Sequence, residues 1–413
     1  MFSAVAVLLY NILLEIVYFV LYPVLRIYLW HRGYLQSIRN NNYDYQNGIL
    51  IHAASVGEVN AVKSLVIELL ARYPQFKISM TTTSLSGMKV VQSIHPSLAV
   101  SLSPLDIYHL RKKQFSHDQP ALVIIVETEI WPNLLYIAKA KSIPIMFVNA
   151  RMSEQTMKSF QKFKPILNYL SKSIVSICAQ SETDRKRFSE VFRSHVLNAG
   201  NLKFATLLPD YYPDEQRQEW GYNPADFIIT FGSSRPGEEA MIKDVFLRLK
   251  TQIPHLKLIL AIRHINRIGE VRAVFEGLDF AQLSETQHAK EIYIIDEMGY
   301  LNRAYAICTI AIVGGSFFDF GGHNPLEPAY YEKPIIMGKY HSSCLDSVQK
   351  LLAEEAILIC EADQLEEHIL KLYHDKSLRA SLATNAKRVL TQNAGSLDYH
   401  LIEIERNLKQ NHA

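Results

Sequence analysis

The chain has 413 residues, too many for one ordinary domain and enough for two of roughly 170–200. Hydrophobic residues make up 48% and charged residues 20%, a balance that supports packed cores and excludes wholesale disorder. Its 43 basic and 41 acidic residues leave a formal charge of +2, which carries no polyanion-binding signature. Nucleic acid is therefore not an expected partner, and an anionic ligand has to be met by local groups.

The amino terminus carries the first feature. Residues 2–25 are almost continuously apolar, interrupted by Asn11, Glu15 and Pro23 and followed by Arg26, His31, Arg32 and Arg39. A cleaved signal peptide would want a basic start and a small-residue cleavage site, and neither is obvious. Residues 1–33 are therefore expected to form a membrane anchor, long enough to span. A charged Glu15 at mid-bilayer would cost about 2.5 kcal/mol or more, so a shallow or re-entrant anchor stands beside the full span. A helix buried in the soluble body is the third reading. For either anchor the basic flank places the body on the cytoplasmic side.

Strand-like and helix-like runs then alternate, which predicts an α/β architecture with largely parallel sheets. In an expected first domain, 34–207, the apolar runs are 48–54, 76–81, 121–126, 144–149 and 174–179, with a short strand at 195–198. Within 59–72, Val62, Leu65, Val66, Leu69 and Leu70 recur at helical spacing. Residues 208–226, rich in Pro, Asp and Tyr, read as a linker opening the second domain, 208–413. The alternation restarts at 227–232, 256–262, 291–295, 309–314 and 334–338. Two doubly wound, Rossmann-like domains facing each other across a cleft is the economical reading, with ligands outside the carboxyl ends of the strands. Cys178, Cys308, Cys344 and Cys360 lie far apart without a Cys-x-x-Cys pair and are expected to be free thiols rather than a disulfide framework or a zinc site.

Several segments carry chemistry. In His52-Ala-Ala-Ser-Val-Gly-Glu58 the carboxylate follows a strand and sits in the first turn of a helix. It is placed either to serve on a cleft floor or simply to cap the helix. Glu127 and Glu129 bracket Thr128 after the strand 121–126; on an extended chain they would point the same way, an unfavourable pair without a cation, a donor or a raised pKa. Trp131-Pro-Asn133 then starts a helix. Lys203 follows Gly200-Asn-Leu at the end of the first half, a surface lysine or a functional one.

In the second half, Phe231-Gly-Ser-Ser-Arg-Pro-Gly-Glu-Glu239 reads as strand, turn and helix, and Arg263-His264 puts cations at a strand's carboxyl end. In Ile312-Val-Gly-Gly-Ser-Phe-Phe-Asp-Phe-Gly-Gly-His-Asn-Pro-Leu-Glu-Pro-Ala329 two glycine pairs flank a loop leading to a helix expected to begin near Asn324-Pro325 and suited to phosphate. Glu327 in that first turn can accept hydrogen bonds from ribose hydroxyls. Neither a dinucleotide G-x-G-x-x-G nor a Walker lysine is present, and no Asp-x-Asp pair offers a metal site. Glu127-Thr-Glu129 could imitate one; otherwise phosphate charge falls to helix termini and to Lys203, Arg263 or His264.

Together HAASVGE (52–58), ETEIWPN (127–133), NARMS (149–153), GNLKF (200–204), MGYL (298–301) and GGHNPLEPA (321–329) closely resemble the 3-deoxy-D-manno-octulosonic acid (Kdo) transferases of lipopolysaccharide synthesis, in order and over essentially the whole chain. The resemblance implies a GT-B fold, the donor substrate CMP-Kdo, the acceptor lipid IVA at the cytoplasmic side of the cell inner membrane, inversion at the anomeric carbon, and neither metal nor cofactor. By position it implies Glu58 as proton acceptor and Glu127 and Lys203 as transition-state stabilisers. It places CMP contacts on Ile262, Arg263, Met298, Gly299, Tyr300, Asn324, Pro325, Leu326 and Glu327. The family's usual Pro-Arg-His-Pro is Ile262-Arg-His-Ile265 here, Tyr300 stands where an acidic residue is common, and the basic stretch after the anchor is shortened to the Asn-rich 39–48. A lipid glycosyltransferase using a UDP-sugar and a non-catalytic nucleotide-sugar sensor are the competing readings.

Overall fold

The computed structural model describes residues 2–34, 38, 45–116, 118–205, 208–286 and 288–410. Arg39, part of the expected basic flank, lies outside them. The chain forms two compact units, Met1–Thr206 with Asn393–Ala413, and Leu207–Gln392.

The first unit is built on seven strands: β1 (Ile49–His52), β2 (Ile78–Thr82), β3 (Ala99–Leu102), β4 (Leu122–Val126), β5 (Ile145–Ala150), β6 (Ile174–Ala179) and β7 (His195–Asn198). They pair in parallel in the order β3-β2-β1-β4-β5-β6-β7. Every residue of β1, β2, β4 and β5 is buried, as expected of parallel strands covered on both faces. The helical run expected at 59–72 starts earlier and breaks once. Val62, with φ −101° and ψ 5°, separates Val56–Ala61 from Lys63–Arg72.

The second unit repeats the plan with β8 (Phe227–Ser234), β9 (Leu256–Ile262), β10 (Phe280–Gln282), β11 (Ile292–Ile295), β12 (Ile310–Val313), β13 (Ile335–Gly338) and β14 (Leu358–Cys360), in the order β10-β11-β9-β8-β12-β13-β14, again all parallel. The direction in which successive strands are added reverses between β1 and β4 in one sheet and between β8 and β12 in the other. These are the switch points where ligands collect in such sheets.

The conformation of one segment and one boundary differ from expectation. Residues 208–226 are part of the second unit rather than a free linker: Pro213–Glu219 is helical, Trp220 is fully buried, and Arg217 donates to Ile307 O at 2.8 and 3.0 Å. The polar composition hid a helix anchored by Arg217 and by a tryptophan just past its end. The second unit also stops short of the carboxyl terminus. Helix Ser396–Gln410 returns to the first unit, where Leu401, Ile404 and Leu408 enter a cluster with Ile51, Val59, Val62 and Leu202. Amphipathic spacing marks that helix but cannot say which core it joins.

The amino-terminal helix runs Phe2–His31. Ser3, Val7, Asn11 and Glu15, four residues apart, form the stripe that meets the first unit. Ser3 Oγ donates to Pro165 O at 3.1 Å, and Val7 and Asn11 are buried. Leu8, Leu9, Leu13, Ile16, Val20 and Val24 are each more than half exposed, which rules out a helix sunk in the core. Its length and apolarity suffice for a membrane anchor. Cys178, Cys308, Cys344 and Cys360 are free thiols.

Candidate active site

The first unit brings its conspicuous residues to the carboxyl edge of one sheet. Glu58 follows β1, Glu127 and Glu129 follow the adjacent β4, and Lys203 follows β7. Glu58 is the third residue of a helix capped by Ser55, whose Oγ accepts from Glu58 N at 3.2 Å. The carboxylate folds back on the same loop. Oε2 accepts from Ala54 N at 2.7 Å and Oε1 from Ser55 Oγ at 3.0 Å. The contacts that close the helix therefore also fix the carboxylate. The residue is only 9% exposed, and burial lifts its pKa to about 7 against the pull of Ala54 and Ser55, with Glu127 and Glu129 adding to the rise. A carboxyl so placed can take up and release a proton near neutrality.

Glu127 and Glu129 do converge on this site, though not by the expected route. The chain turns at Glu127, which has a left-handed φ of 57°, so the two carboxylates are not successive teeth of an extended strand. Thr128 Oγ1 donates to Arg151 O, tying this turn to the end of β5. Burial and Glu127 raise the Glu129 pKa. The following helix, Pro132–Ala140, begins with Pro132 as expected, but its capping acceptor comes from afar: Asp106 takes Asn133 N at 2.9 Å and Leu134 N at 3.1 Å. Asp106 is itself held by buried Arg111 at 3.1 Å. The Arg111 guanidinium lies over the Trp131 ring, and His52 meets the same ring edge-on. His52 bonds Thr81 Oγ1 through Nδ1 at 3.0 Å, and burial with Arg111 nearby drives its pKa down to about 3. It is a buried, neutral imidazole that connects HAASVGE to ETEIWPN through the Trp131 ring.

Lys203 is half-buried in the 3-10 turn Leu202–Ala205, which packs on helix Lys63–Arg72 and on the carboxyl-terminal helix. Leu202 N donates to Asn149 Oδ1 at 2.9 Å, joining GNLKF to NARMS. Among the described residues no group of three or more His, Cys, Asp or Glu could hold a metal ion.

In the second unit, the segments expected to contact a nucleotide lie beyond β9, β11 and β12. Ile262 is buried in the core, so only its backbone is available, whereas Arg263 is exposed and ties back through its N–H to Ser234 O at 3.2 Å. The two glycine pairs close a loop on each other: Gly322 N donates to Gly315 O at 2.7 Å and His323 N to Gly314 O at 3.2 Å. A Cβ on Gly314 would stand 2.8 Å from Ser233 O, so only glycine fits where this loop crosses the end of β8. The helix after it spans only Leu326–Tyr330, beginning two residues later than expected, with Asn324 Oδ1 accepting from Leu326 N at 3.1 Å. A one-turn helix offers little dipole. Burial lifts the Glu327 pKa to about 7, opposed by Asn324 and Arg263, so Asn324, Glu327 and Arg263 share one neighbourhood. Pro325 and Leu326 are buried. Met298 is 75% exposed beside Gly299 (φ +96°), while the Tyr300 ring packs against the cluster around Trp220.

Sequence reasoning passed over two residues here. Arg235, after β8, touches His264 and lies over Phe320. His323 keeps an unpartnered Nε2, and burial with Arg263, Arg235 and His264 around it lowers its pKa to about 4. The signal was present in Ser-Arg-Pro-Gly and Gly-Gly-His, but only the sheet order puts β8, β9 and β12 side by side. Glu238, also after β8, is not free for a ligand: its carboxylate accepts from Arg235, Gly315, Ser316 and Phe317 N–H groups at 2.8–3.1 Å. What remains at this edge is a set of cations suited to an anionic ligand.

The sequence profile of the family described as 3-Deoxy-D-manno-octulosonic-acid transferase (kdotransferase) matches residues 29–206. A 3-deoxy-D-manno-octulosonic acid transferase of Haemophilus influenzae is 32% identical over 377 residues, 88% of this chain and 88% of that protein. Another from Rickettsia felis is 30% identical, covering 87% of this chain and 79% of its own length. Among solved structures, the UDP-GlcNAc 2-epimerase of Neisseria meningitidis bound to UDP-GlcNAc has a TM-score of 0.57 over 88% of this chain and 100% of that one; at 13% identity it speaks for the GT-B-like fold alone. With a relative this similar across nearly the whole length of both chains, the protein belongs to the 3-deoxy-D-manno-octulosonic acid (Kdo) transferases, a family of glycosyltransferases.

Proposed function

We propose that this enzyme moves Kdo from CMP-Kdo to a sugar hydroxyl of the lipid A precursor lipid IVA. It would do so with inversion and without a metal, at the cytoplasmic side of the inner membrane during lipopolysaccharide synthesis. The observation that carries the reading is Glu58, a fixed and buried carboxyl lifted to about 7 at the switch point of its sheet. Glu58 takes the proton of the acceptor hydroxyl as that oxygen attacks the anomeric carbon of Kdo. The bond from that carbon to the phosphate oxygen breaks, and CMP leaves with the bonding electrons. Direct displacement by the acceptor inverts the centre.

Lys203 is assigned to the charge that develops in the transition state, and Glu127 to the same step beside Glu58. The donor carries two anionic groups, a phosphate and a carboxylate. The cations Arg235 and Arg263 at the edge of the second sheet support such a donor, with Asn324, Glu327 and a neutral His264 as hydrogen-bonding partners for CMP and Met298, Gly299, Pro325 and Leu326 lining the same edge. No cofactor enters the scheme. The exposed apolar face of Phe2–His31 supports a membrane-held acceptor.

Incubating the enzyme with CMP-Kdo and lipid IVA, then weighing the lipid product, tests the reading and counts the sugars added. A mass gain of one or more Kdo units with stoichiometric CMP is expected. Release of nucleotide from UDP-sugars in place of CMP-Kdo would sink the donor assignment, and binding of CMP-Kdo without turnover on any lipid acceptor would point to a sensor.

A further inference from the structure

The turn that presents Lys203 is not held by its own strand alone. β7 is the outermost strand of its sheet and the chain leaves it through Gly200, whose φ is +79°. Beyond it Lys203 N bonds Asn201 Oδ1 at 3.0 Å, Asn201 Nδ2 bonds Gln180 Oε1 at 3.2 Å, and Gln180 Nε2 bonds Asn149 O at 2.8 Å. Asn149 closes the circuit by accepting Leu202 N with its side chain. To do this it adopts a left-handed φ of 52° at the end of β5, where the pairing with β6 loses register. Asparagine tolerates that region better than most non-glycine residues, and here its neighbours hold it there.

Its backbone N–H is what the surroundings hold. Asn149 N donates to His400 Nε2 at 3.0 Å, across 251 residues of sequence. His400 can accept because its other nitrogen donates: Nδ1 lies 2.6 Å from Ser396 O, which fixes the proton on Nδ1 and leaves Nε2 bare. Both residues are fully buried. Ser396 adds a second tie, its Oγ donating to Asn201 O at 3.2 Å, and a Cβ on Gly200 would stand 3.1 Å from Ser396 Cβ. Burial holds the His400 pKa down at about 4, so the acceptor survives throughout the neutral range.

We infer that His400, on the carboxyl-terminal helix, is a positioning residue for Lys203, acting through Asn149 and the buried amide network that sets the Leu202–Ala205 turn. The inference rests on the proposed catalytic role of Lys203. It gives the return of the last helix to the first unit a purpose beyond packing. Leu401, Ile404 and Leu408 pack that helix without His400, so the brace and the fold can be separated by mutation.

The test compares His400→Leu with His400→Gln in the full-length enzyme, each also combined with Lys203→Ala. Leucine removes the acceptor, whereas the glutamine amide oxygen can reach the Asn149 N–H. His400→Leu is expected to lower kcat at least tenfold with KM for CMP-Kdo within about twofold, the enzyme remaining folded at the assay temperature. Hydrogen exchange at peptides containing Asn149 and Leu202 should accelerate. His400→Gln should restore most of both. In the Lys203→Ala background, His400→Leu should cost little more. Losses that multiply in full, unchanged exchange at both peptides, or equal damage from Gln and Leu would overturn the inference. A fully active Lys203→Ala enzyme would refute the catalytic assignment instead, and the exchange data would still report separately on the brace.

Discussion

The carboxylate of Glu15 accepts two hydrogen bonds from His109, one from its backbone N–H at 2.9 Å and one from Nδ1 at 2.7 Å. The only acidic residue of the apolar helix Phe2–His31 thus faces the first unit, at the end of a stripe that already ties down Ser3, Val7 and Asn11. A charged residue that made a spanning helix costly becomes a docking contact once the helix lies along the body. The expected outcome is a monotopic attachment with the amino terminus on the same side of the membrane as both units. An amino-terminal protease site should be cut in inverted inner-membrane vesicles and protected in intact spheroplasts, as should a site in the body. Cleavage from opposite sides would establish a full span and break the Glu15–His109 contact as a description of the bound enzyme.

The pH dependence of transfer should report Glu58. Its pKa is raised to about 7, first by burial and further by Glu127 and Glu129, and only the ionised form accepts a proton. The kcat/KM profile is therefore expected to rise with pH and level off above about 7. Glu129→Gln removes one like charge without touching the proposed base, so the acid limb should move to lower pH. A limb that stays in place, or moves up, would show that another group titrates.

Glu58→Gln should separate activity from stability. Loss of the base is expected to reduce turnover by about 10²–10⁴-fold, while CMP-Kdo binding, measured by calorimetry, remains within about twofold. The sign of the stability effect follows from the shift. A carboxyl whose folded pKa is raised stabilises the fold fully below its unfolded value, ordinarily near 4.5, and that contribution is lost as pH rises through about 7. Above that pH the wild-type unit carries a buried charge that glutamine does not, so the melting midpoint of Glu58→Gln should exceed that of wild type, by roughly 2–4 °C for each kcal/mol relieved. A variant that is both active and no more stable at pH 8 would remove Glu58 from both roles.

Much of this arrangement was legible in the sequence, for identifiable reasons. Strand 122–126 is a continuous apolar run and 256–262 is one but for Lys257, as burial on both faces requires. β3, β10 and β14 were missed because they are three or four residues long, and β3 and β10 mix polar side chains into an already weak signal. Glu58, Glu127 and Lys203 could be singled out in the sequence as candidates because local turns and strand ends mark them. Asp106 and His400 were not, since each acts on a backbone N–H 27 or more residues away, Asn133 for one and Asn149 for the other. Residues that bind a distant N–H leave no local pattern; only the completed fold pairs them.

The cationic edge of the second unit yields the last prediction. Arg263 is exposed at the end of β9 and close enough to Glu327 and His323 to lower both their pKa values. Truncating a charge-assisted contact to an anionic donor costs about 1.5–3 kcal/mol, which at 1.4 kcal/mol per decade is roughly 10- to 100-fold. Arg263→Ala is thus expected to raise KM for CMP-Kdo by that factor and leave KM for the lipid acceptor unchanged. Arg263→Lys should recover part of the loss, because a lysine keeps the charge but not the planar fork. Removing Arg263 also withdraws the positive neighbour that holds Glu327 down, so the Glu327 pKa should climb from about 7 and the pH dependence that Glu327 gives to donor binding should move to higher pH. Steady-state kinetics with each substrate varied in turn, at three pH values, measures all of this. An effect confined to the acceptor would place Arg263 outside the donor site.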